Sequence, residues 1–509
     1  MIPIGGLAFL AVLFLIAKFY LNVRKYPPGP FPLPIIGNAL QILIGELQGK
    51  QLRDLLLEWK ERYGNVISIW LGPSPSVCVL DYDLAVQTYI KEGDAYVGRQ
   101  TFPLYDEMRN GMGIVLSEGD LWLEQRRFAL HTLRDFGLGR NIMQEKILDE
   151  YHKRMDPFDA EVEANGGKLI VEPRAKLLEL MIGSIVNRML VGYSFDKTNM
   201  DEFIEIRREL DNVSESVTFV DVVLLRPSLT WLPFIKQRNQ NLLKSSYDSN
   251  DFARREIAKR QSDIKSGKYV LDNVSGPKDF VDAFLMEMKR RTDGGEELGT
   301  FTEEQLMYSI VDLWQAGMET TITTLHWAFL FMLKNPEVQE KMRKELRDVI
   351  GENRDVEFGD RLLLPYCNAA INEVQRLTAL LTLNVLRRNT RETTIDGYRI
   401  PVGTDNAVIM SVIFGDKGNF ECPDKFDPQR YFGDEGKKLE QKVIPFGIGK
   451  RACLGEGLAR SEIYLILLNV VKTYRIVDNG TTPADWAKGK SASFGRMSHT
   501  YECIFEKVK

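Results

Sequence analysis

The chain is poor in cysteine. Its 509 residues include only five: Cys78, Cys367, Cys422, Cys453 and Cys503. The number is odd and none sits in CxxC spacing, which argues against a disulfide framework or a structural zinc site and favours a reducing compartment. Surplus positive charge is also missing. Lys and Arg total 66 against 71 Asp and Glu, a net charge of -5. Phosphate binding needs the opposite balance, so nucleic acid is not an expected partner. No internal repeat and no low-complexity block is present. The length suggests about three domains, yet no linker divides the chain. Arg291–Glu304 and Gly433–Lys442 are short and separate helical patterns, so they read as loops. One large, mainly helical domain with a small β region is the expected fold class.

The N-terminus departs from this ordinary composition. Ile2 to Tyr20 is almost wholly apolar, with Lys18 as its only charge. A helix needs about 20 such residues to cross a bilayer core. A cleaved signal peptide is the competing reading, but the run is long, no charged segment precedes it and no small-residue cleavage site follows. Residues 1–25 are therefore expected to be a retained single anchor. Arg24 and Lys25 after the span place the main domain in the cytosol. Tyr26-Pro27-Pro28-Gly29-Pro30 cannot continue a helix, so residues 26–34 read as a stiff hinge and 35–509 as the catalytic domain.

Periodicity predicts a helix over Gln51–Tyr63 and short strands at Val66–Leu71 and Ser76–Leu80. Helical patterns dominate from Trp122 to about Arg290. Phe301–Leu333 reads as one long, apolar, central helix. Pro336–Ile350, Asn368–Leu377 and Gly455–Tyr474 read as further helices. Asn384–Val402 contains strand-like pieces around the turn Asp396-Gly397.

Four motifs carry chemistry. The first is Phe446-Gly447-Ile448-Gly449-Lys450-Arg451-Ala452-Cys453-Leu454-Gly455. A thiolate is a strong ligand for haem iron, and a helix N-terminus just after Cys453 favours the thiolate. Gly449 and Gly455 remove side-chain bulk where a flat cofactor must come close. Arg451 suits a propionate, and Phe446 shields the sulfur. A lone cysteine is more often an inert core residue; the whole Phe-x-x-Gly-x-Arg-x-Cys-x-Gly pattern is what argues otherwise. The second motif is Ala316-Gly317-Met318-Glu319-Thr320-Thr321 on the long helix. A threonine hydroxyl bonded back to the preceding turn, beside Gly317, predicts a local widening of that helix. The alternative is a polar patch against a neighbouring helix. The third pairs Glu373 with Arg376 on one helix face, with Pro423-Asp424-Lys425-Phe426-Asp427-Pro428-Gln429-Arg430 downstream. The fourth is Trp122 and Arg126, four apart and both N–H donors.

Together these motifs, in this order, resemble the cytochrome P450 superfamily, and within it the microsomal type related to animal family-2 drug- and fatty-acid-oxidising enzymes. Pro336-Glu337-Val338 and Leu364-Pro365-Tyr366 also look like that group. The resemblance implies the P450 helical prism with haem b held by Cys453. It assigns Thr320 to hydrogen-bonding the dioxygen above the iron and Glu319 to proton delivery. It makes Glu373, Arg376 and Arg430 a buried structural triad, and Trp122, Arg126, Arg387 and Arg451 propionate donors. Asn110 stands where relatives often place an arginine, with Arg109 one residue off. The implied reaction is monooxygenation of a lipophilic small molecule (xenobiotic, fatty acid, eicosanoid or steroid). NADPH-cytochrome P450 reductase and cytochrome b5 are the implied electron donors, at the endoplasmic reticulum membrane. Arg126, Arg127, Lys442 and Lys450 are candidates for the docking face, with a solvated surface as the alternative. Phe102–Val115, Phe219–Val223, Trp314–Thr320, Leu380–Val385 and the turn near Phe494 are the expected pocket, and Leu229–Ile235 is a candidate second membrane contact, or core. A thiolate-haem isomerase or dehydratase of lipid peroxides, and a non-catalytic haem sensor, are the competing functions.

Overall fold

A computed structural model describes residues 4–100, 108–136, 141–216, 232–271, 276–492 and 495–508, with the side chains at 4, 5, 8, 141, 209–216, 243–249, 491 and 492 excepted. The expected pocket segments at 102–107 and 219–223, the tip at Phe494 and residues 229–231 lie outside that set. The N-terminal stretch is one helix, α1 (Ile4–Val23). It leaves Leu7, Phe9, Leu10, Leu13, Phe14 and Leu15 exposed. No helix among the described residues is both long and apolar enough to cross a membrane. The chain then passes through the proline segment to α2 (Ala39–Leu47) and α3 (Leu52–Tyr63). Asn38 closes this turn, donating from its side chain to Pro30 O and accepting from the Trp70 N–H.

The principal sheet has five strands in the order β1-β2-β8-β5-β3. β1 (Val66–Leu71) and β2 (Ser74–Val79) form an antiparallel hairpin, and β8 (Asp405–Val408) joins β2 in parallel. β5 (Arg387–Arg388) and β3 (Gly98–Arg99) complete it, with Arg99 directly opposite Arg387. Three more strands, β4 (Lys168–Val171), β9 (Tyr474–Asp478) and β12 (Cys503–Lys507), form a second sheet with β12 in the middle. β6 (Thr393–Ile395) and β7 (Tyr398–Ile400) make a hairpin. Asp396 and Gly397 both take positive φ at its turn, the conformation a tight two-residue hairpin requires.

The central helix, Glu303–Lys334, is the core's axis. Thr302 caps it by accepting from the Gln305 N–H. From Thr321 to Leu333 every side chain is buried, so this half is surrounded by protein on all sides, its apolar residues packed and its threonines and His326 hydrogen-bonded internally. It is α-helical throughout its length. The widening expected near Gly317 is absent: the Thr320 hydroxyl does donate to Ala316 O, at 2.7 Å, but the helix absorbs that bond without leaving α geometry. Gly433–Lys442, read above as a loop, is a helix. Its Asp434 and Glu435 sit in the first turn and Lys442 in the last, matching the helix dipole.

Beside the central helix lies Pro365–Thr378, which carries Glu373 and Arg376 fully inside the protein. Arg376 donates twice to the Glu373 carboxylate, both at 2.8 Å. Arg430 Nε adds a third bond at 2.9 Å. The triad expected from the sequence is therefore assembled, and two donors join it that the motif did not reveal: the Tyr431 hydroxyl at 2.8 Å and the Asp427 N–H at 3.1 Å. Burial disfavours the Arg376 charge, but Glu373 outweighs it and its pKa is raised. Removing one partner of a buried pair costs about 3–5 kcal/mol because the other charge is stranded. Glu373→Ala should lower folding stability by that order, read as a fall in denaturant midpoint; an unchanged midpoint would show the triad to be dispensable.

Candidate haem site

The Cys453 loop is held by its own backbone. The Cys453 N–H donates to Phe446 O and the Ala452 N–H to Gly449 O, both at 2.9 Å. Gly447 and Gly449 take φ of 73° and 78°, left-handed values that favour glycine. At Gly449 a Cβ would lie 2.0 Å from the Tyr89 carbonyl oxygen. This glycine is thus required for packing against Tyr89, which corrects the expectation that it makes room for a cofactor. Gly455 fits that expectation better: a Cβ there would meet open space. The helix Glu456–Thr473 begins just past it.

Cys453 is accessible, unlike Cys78, Cys367 and Cys503, which are buried. The protein mass around it nevertheless pushes the thiol pKa up, opposed by the Gly455 N–H and by Arg126. Phe446 is half-buried beside it, with the Arg460 guanidinium 4.8 Å from its ring centroid.

Four arginines converge beside this loop. Arg126 Nη2 donates to Ala452 O at 2.6 Å, directly behind the sulfur in sequence. Arg451 stacks on Trp122, its guanidinium carbon 3.7 Å from the ring centroid, and donates to Val97 O and Ser117 O. Arg387 donates to Ile448 O and lies over the Tyr89 ring. The fourth is Arg99, brought next to Arg387 by the β3–β5 register and donating to Val115 O and Val385 O. No sequence motif pointed to Arg99; its partners are carbonyls far away in the chain.

Among the described residues this cluster is short of anions. Burial first, then Arg99 and Arg126, push the Arg451 pKa down to about 8, with Glu118 opposing. Burial, Arg387 and Arg126 push Arg99 down to about 9. Burial and Arg126 also depress Arg387, to about 10. Arginine keeps its proton in proteins, so these displacements register an unmet demand for negative charge. Arg451 Nη1 and Arg387 Nε are buried with no hydrogen-bond partner. Orphaned buried donors are rare. A haem with its two carboxylates would answer that demand, and an accessible cysteine at the same loop could supply a thiolate. The residues present fit the group.

The distal candidates are placed differently. Glu319 is turned toward Arg174, at 2.8 and 3.0 Å, and Arg207, at 2.6 Å. Burial raises its pKa, but these two arginines outweigh that and hold it below the usual carboxylate range. Thr320 is half-buried, its hydroxyl donating to Ala316 O. Arg109 does not replace the missing arginine at Asn110. It is paired with Asp312 of the central helix, which also accepts the Ile114 and Val115 N–H groups. Asn110 lies at an exposed turn with φ of 47°. Within the proposed docking set, Arg126 faces inward as described, Lys450 pairs with Asp94 and Lys442 donates to Asn419; Arg127 is exposed.

One buried acid joins the two halves of the site. Glu462, fully buried on the helix that follows Cys453, accepts from the hydroxyl of Thr321, the neighbour of Thr320, at 3.2 Å. Its other oxygen has no partner.

With this geometry established, comparison with known proteins is direct. The family model for cytochrome P450 matches residues 27–505, and the chain belongs to that family. It is 34% identical over 93% of its length to the probable cytochrome P450 cyp-35D1 of Caenorhabditis elegans, covering 94% of that protein. It is 33% identical over 89% of its length to cytochrome P450 2H1 of Gallus gallus, covering 87% of it. With cytochrome P450 2A9 of Mesocricetus auratus it is 31% identical over 99% of its length, covering 98% of that chain. The protein is a haem-thiolate monooxygenase with haem b as its cofactor.

Glu462 yields a prediction with a definite sign. Burial pushes its pKa from 4.5 to about 8, opposed by Thr321. The contribution to stability is complete below the unfolded value and is lost as pH rises through the folded one. Glu462→Gln stays neutral throughout. Its unfolding temperature should fall less than that of the wild type between about pH 5 and pH 8; parallel curves across that window would refute the assignment.

Proposed function

We propose that this protein inserts one atom of dioxygen into a lipophilic small molecule, using electrons from NADPH through NADPH-cytochrome P450 reductase, with cytochrome b5 as a second donor. The arginine cluster beside an accessible cysteine carries this reading. Cys453 is the thiolate ligand. Trp122, Arg126, Arg387 and Arg451, joined by Arg99, hold the propionates, and Phe446 and Gly455 border the cofactor on the sulfur side. The haem, when bound, supplies the activation of oxygen and its transfer. The chain's own residues control protons and water around it. Thr320 presents a hydroxyl whose proton is directed at Ala316 O at rest, leaving its oxygen lone pairs free to accept from the reacting side. Glu319 is the acid that passes protons inward, and Arg174 and Arg207 keep it ionised and outward until it turns. The presence of this acid–threonine pair favours a monooxygenase over a peroxide isomerase.

The catalytic domain spans residues 35–509, behind a hinge at 26–34 and a single anchor at 1–25 in the endoplasmic reticulum membrane. Two features support that setting. Helix α1 turns its apolar side chains outward, and α2 continues the surface with Leu40, Leu43, Ile44 and Leu47 exposed. Their i, i+3, i+4, i+7 spacing puts them on one face. Phe234, in the candidate second contact, is also exposed, whereas Ile235 is buried. The described part of the pocket is residues 108–115, Trp314–Thr320 and Leu380–Val385; its apolar side chains, among them Met112, Ile114, Trp314, Met318, Leu380 and Leu383, favour a lipophilic substrate.

The reduced protein with carbon monoxide should show the red-shifted Soret band of a thiolate-ligated haem. Cys453→Ala should abolish it in folded, haem-loaded protein; a band that survives the substitution would remove Cys453 as the ligand. Thr320→Ala should lower product formed per NADPH by about 10- to 100-fold, the worth of one hydrogen bond to a charged group. Unchanged yield would set aside the oxygen-activating role of Thr320. A product screen with lipids and drugs identifies the substrate.

A further inference from the structure

A second polar path runs along the central helix, away from the cysteine loop. Glu319, Thr323 and His326 are spaced i, i+4, i+7 and so share one face. The Thr323 hydroxyl donates to Glu319 Oε1 at 3.1 Å. His326 is buried, 2% exposed, and stacks on Tyr501 with ring centroids 4.5 Å apart and planes 10° apart. The Tyr501 hydroxyl donates to the His326 carbonyl. Ser498 Oγ lies 2.6 Å from His326 Nδ1. On the other side, Nε2 is 3.3 Å from Glu172 Oε1, an ion–dipole contact too poorly aligned to count as a formed hydrogen bond.

These contacts select one form of the imidazole. Burial depresses the His326 pKa, with Glu172 opposing, so the ring is neutral at physiological pH. Glu172 is held ionised by His326 and by the backbone N–H groups it accepts from, against its own burial. An ionised carboxylate only accepts, which places the ring proton on Nε2. Nδ1 is then bare and accepts from the Ser498 hydroxyl.

Glu172 has a second task. Its two oxygens accept from the Arg174 N–H at 3.2 Å and the Ala175 N–H at 2.7 Å. It thereby caps the short π-helical turn Arg174–Leu178. Arg174 extends from that turn to grip Glu319, while its Nε donates to Glu179. Ser498, His326, Glu172, Arg174 and Glu319 thus form one continuous line of contacts.

We propose that His326 is a positioning residue for proton delivery. It fixes the Glu172 carboxylate, which fixes the turn bearing Arg174, which sets how firmly Glu319 is held in its outward ion pair. The proposal rests on the reading of Glu319 as the proton-passing acid. It goes further by placing control of that acid at a buried imidazole it does not touch.

The test uses the full-length, haem-loaded enzyme with its reductase, and needs no organic substrate. Dioxygen then leaves as peroxide (O2 + 2H+ + 2e−) or as water (O2 + 4H+ + 4e−), and the ratio reports proton supply. Two variants are compared. His326→Leu removes both polar contacts; His326→Gln retains a donor and an acceptor. In His326→Leu the backbone amides of Arg174 and Ala175 should exchange with deuterium faster, and the peroxide-to-water ratio should shift, each by about 2- to 30-fold, the span of coupling through such networks. His326→Gln should stay near wild type in both. Unchanged exchange in His326→Leu, or a Gln variant no better than Leu, would overturn the link. Glu319→Gln is the control: if it leaves the ratio unaltered, the role of Glu319 fails, while amide exchange still decides whether His326 holds Arg174.

Discussion

Four guanidinium groups, Arg99, Arg126, Arg387 and Arg451, are held within a poorly solvated region beside the Cys453 loop. Like charges placed opposite each other in a sheet repel, and burial adds a desolvation cost that only paired anions offset. Among the described residues, Glu118 opposes the charge depression at both Arg99 and Arg451. Among the described residues the cluster is therefore electrostatically incomplete. A dianionic cofactor completes it, which makes haem binding part of the stability of the fold and not merely an addition to it. The strand register that sets Arg99 against Arg387 makes sense only on these terms.

The proximal side is built to hold one loop still. Backbone hydrogen bonds from Cys453 and Ala452 close it, Gly449 presses against Tyr89, and Arg126 reaches the carbonyl next to the cysteine. Behind it, the carboxylate of Glu373 gathers Arg376, Arg430, Tyr431 and Asp427. Apart from Arg376, the donors come from one short 3-10 turn, Pro428–Tyr431, and the loop residue before it. The buried acid supplies the bracing that secondary structure does not. The distal side is arranged for change: Glu319 is kept by two arginines at the edge of the central helix, in a geometry that ion-pair rearrangement can alter.

Much of this was legible in the chain. The helix Pro336–Ile350 begins and ends where its proline and periodicity place it, and the hairpin at Asp396-Gly397 follows from its turn residues. The Cys453 pattern pointed to the loop on which the arginines converge, and the Glu373–Arg376 spacing to the buried pair. The misreadings have physical causes. Gly433–Lys442 looks like a loop because its glycines and charges mask a short helix capped by complementary charge. Thr320 beside Gly317 suggested a widened helix, but tight burial of the following turns keeps α geometry. Gly449 looked like room for a cofactor, and its real neighbour is Tyr89. Whether Arg109 or Asn110 reaches a propionate was not legible in the chain, because the partner of Arg109, Asp312, lies far off in sequence.

The sequence alone pointed to the helical class, the Cys453 loop, the Glu319–Thr320 pair and the Glu373–Arg376 pair, because each depends on residue types at short spacing that local physics constrains. Tertiary structure decided what those groups face. It brought Arg99 to Arg387, Tyr431 to Glu373, Glu462 to Thr321 and Ser498 to His326. These are contacts between segments whose separation along the chain carries no periodic signal, and only packing of the whole domain sets them.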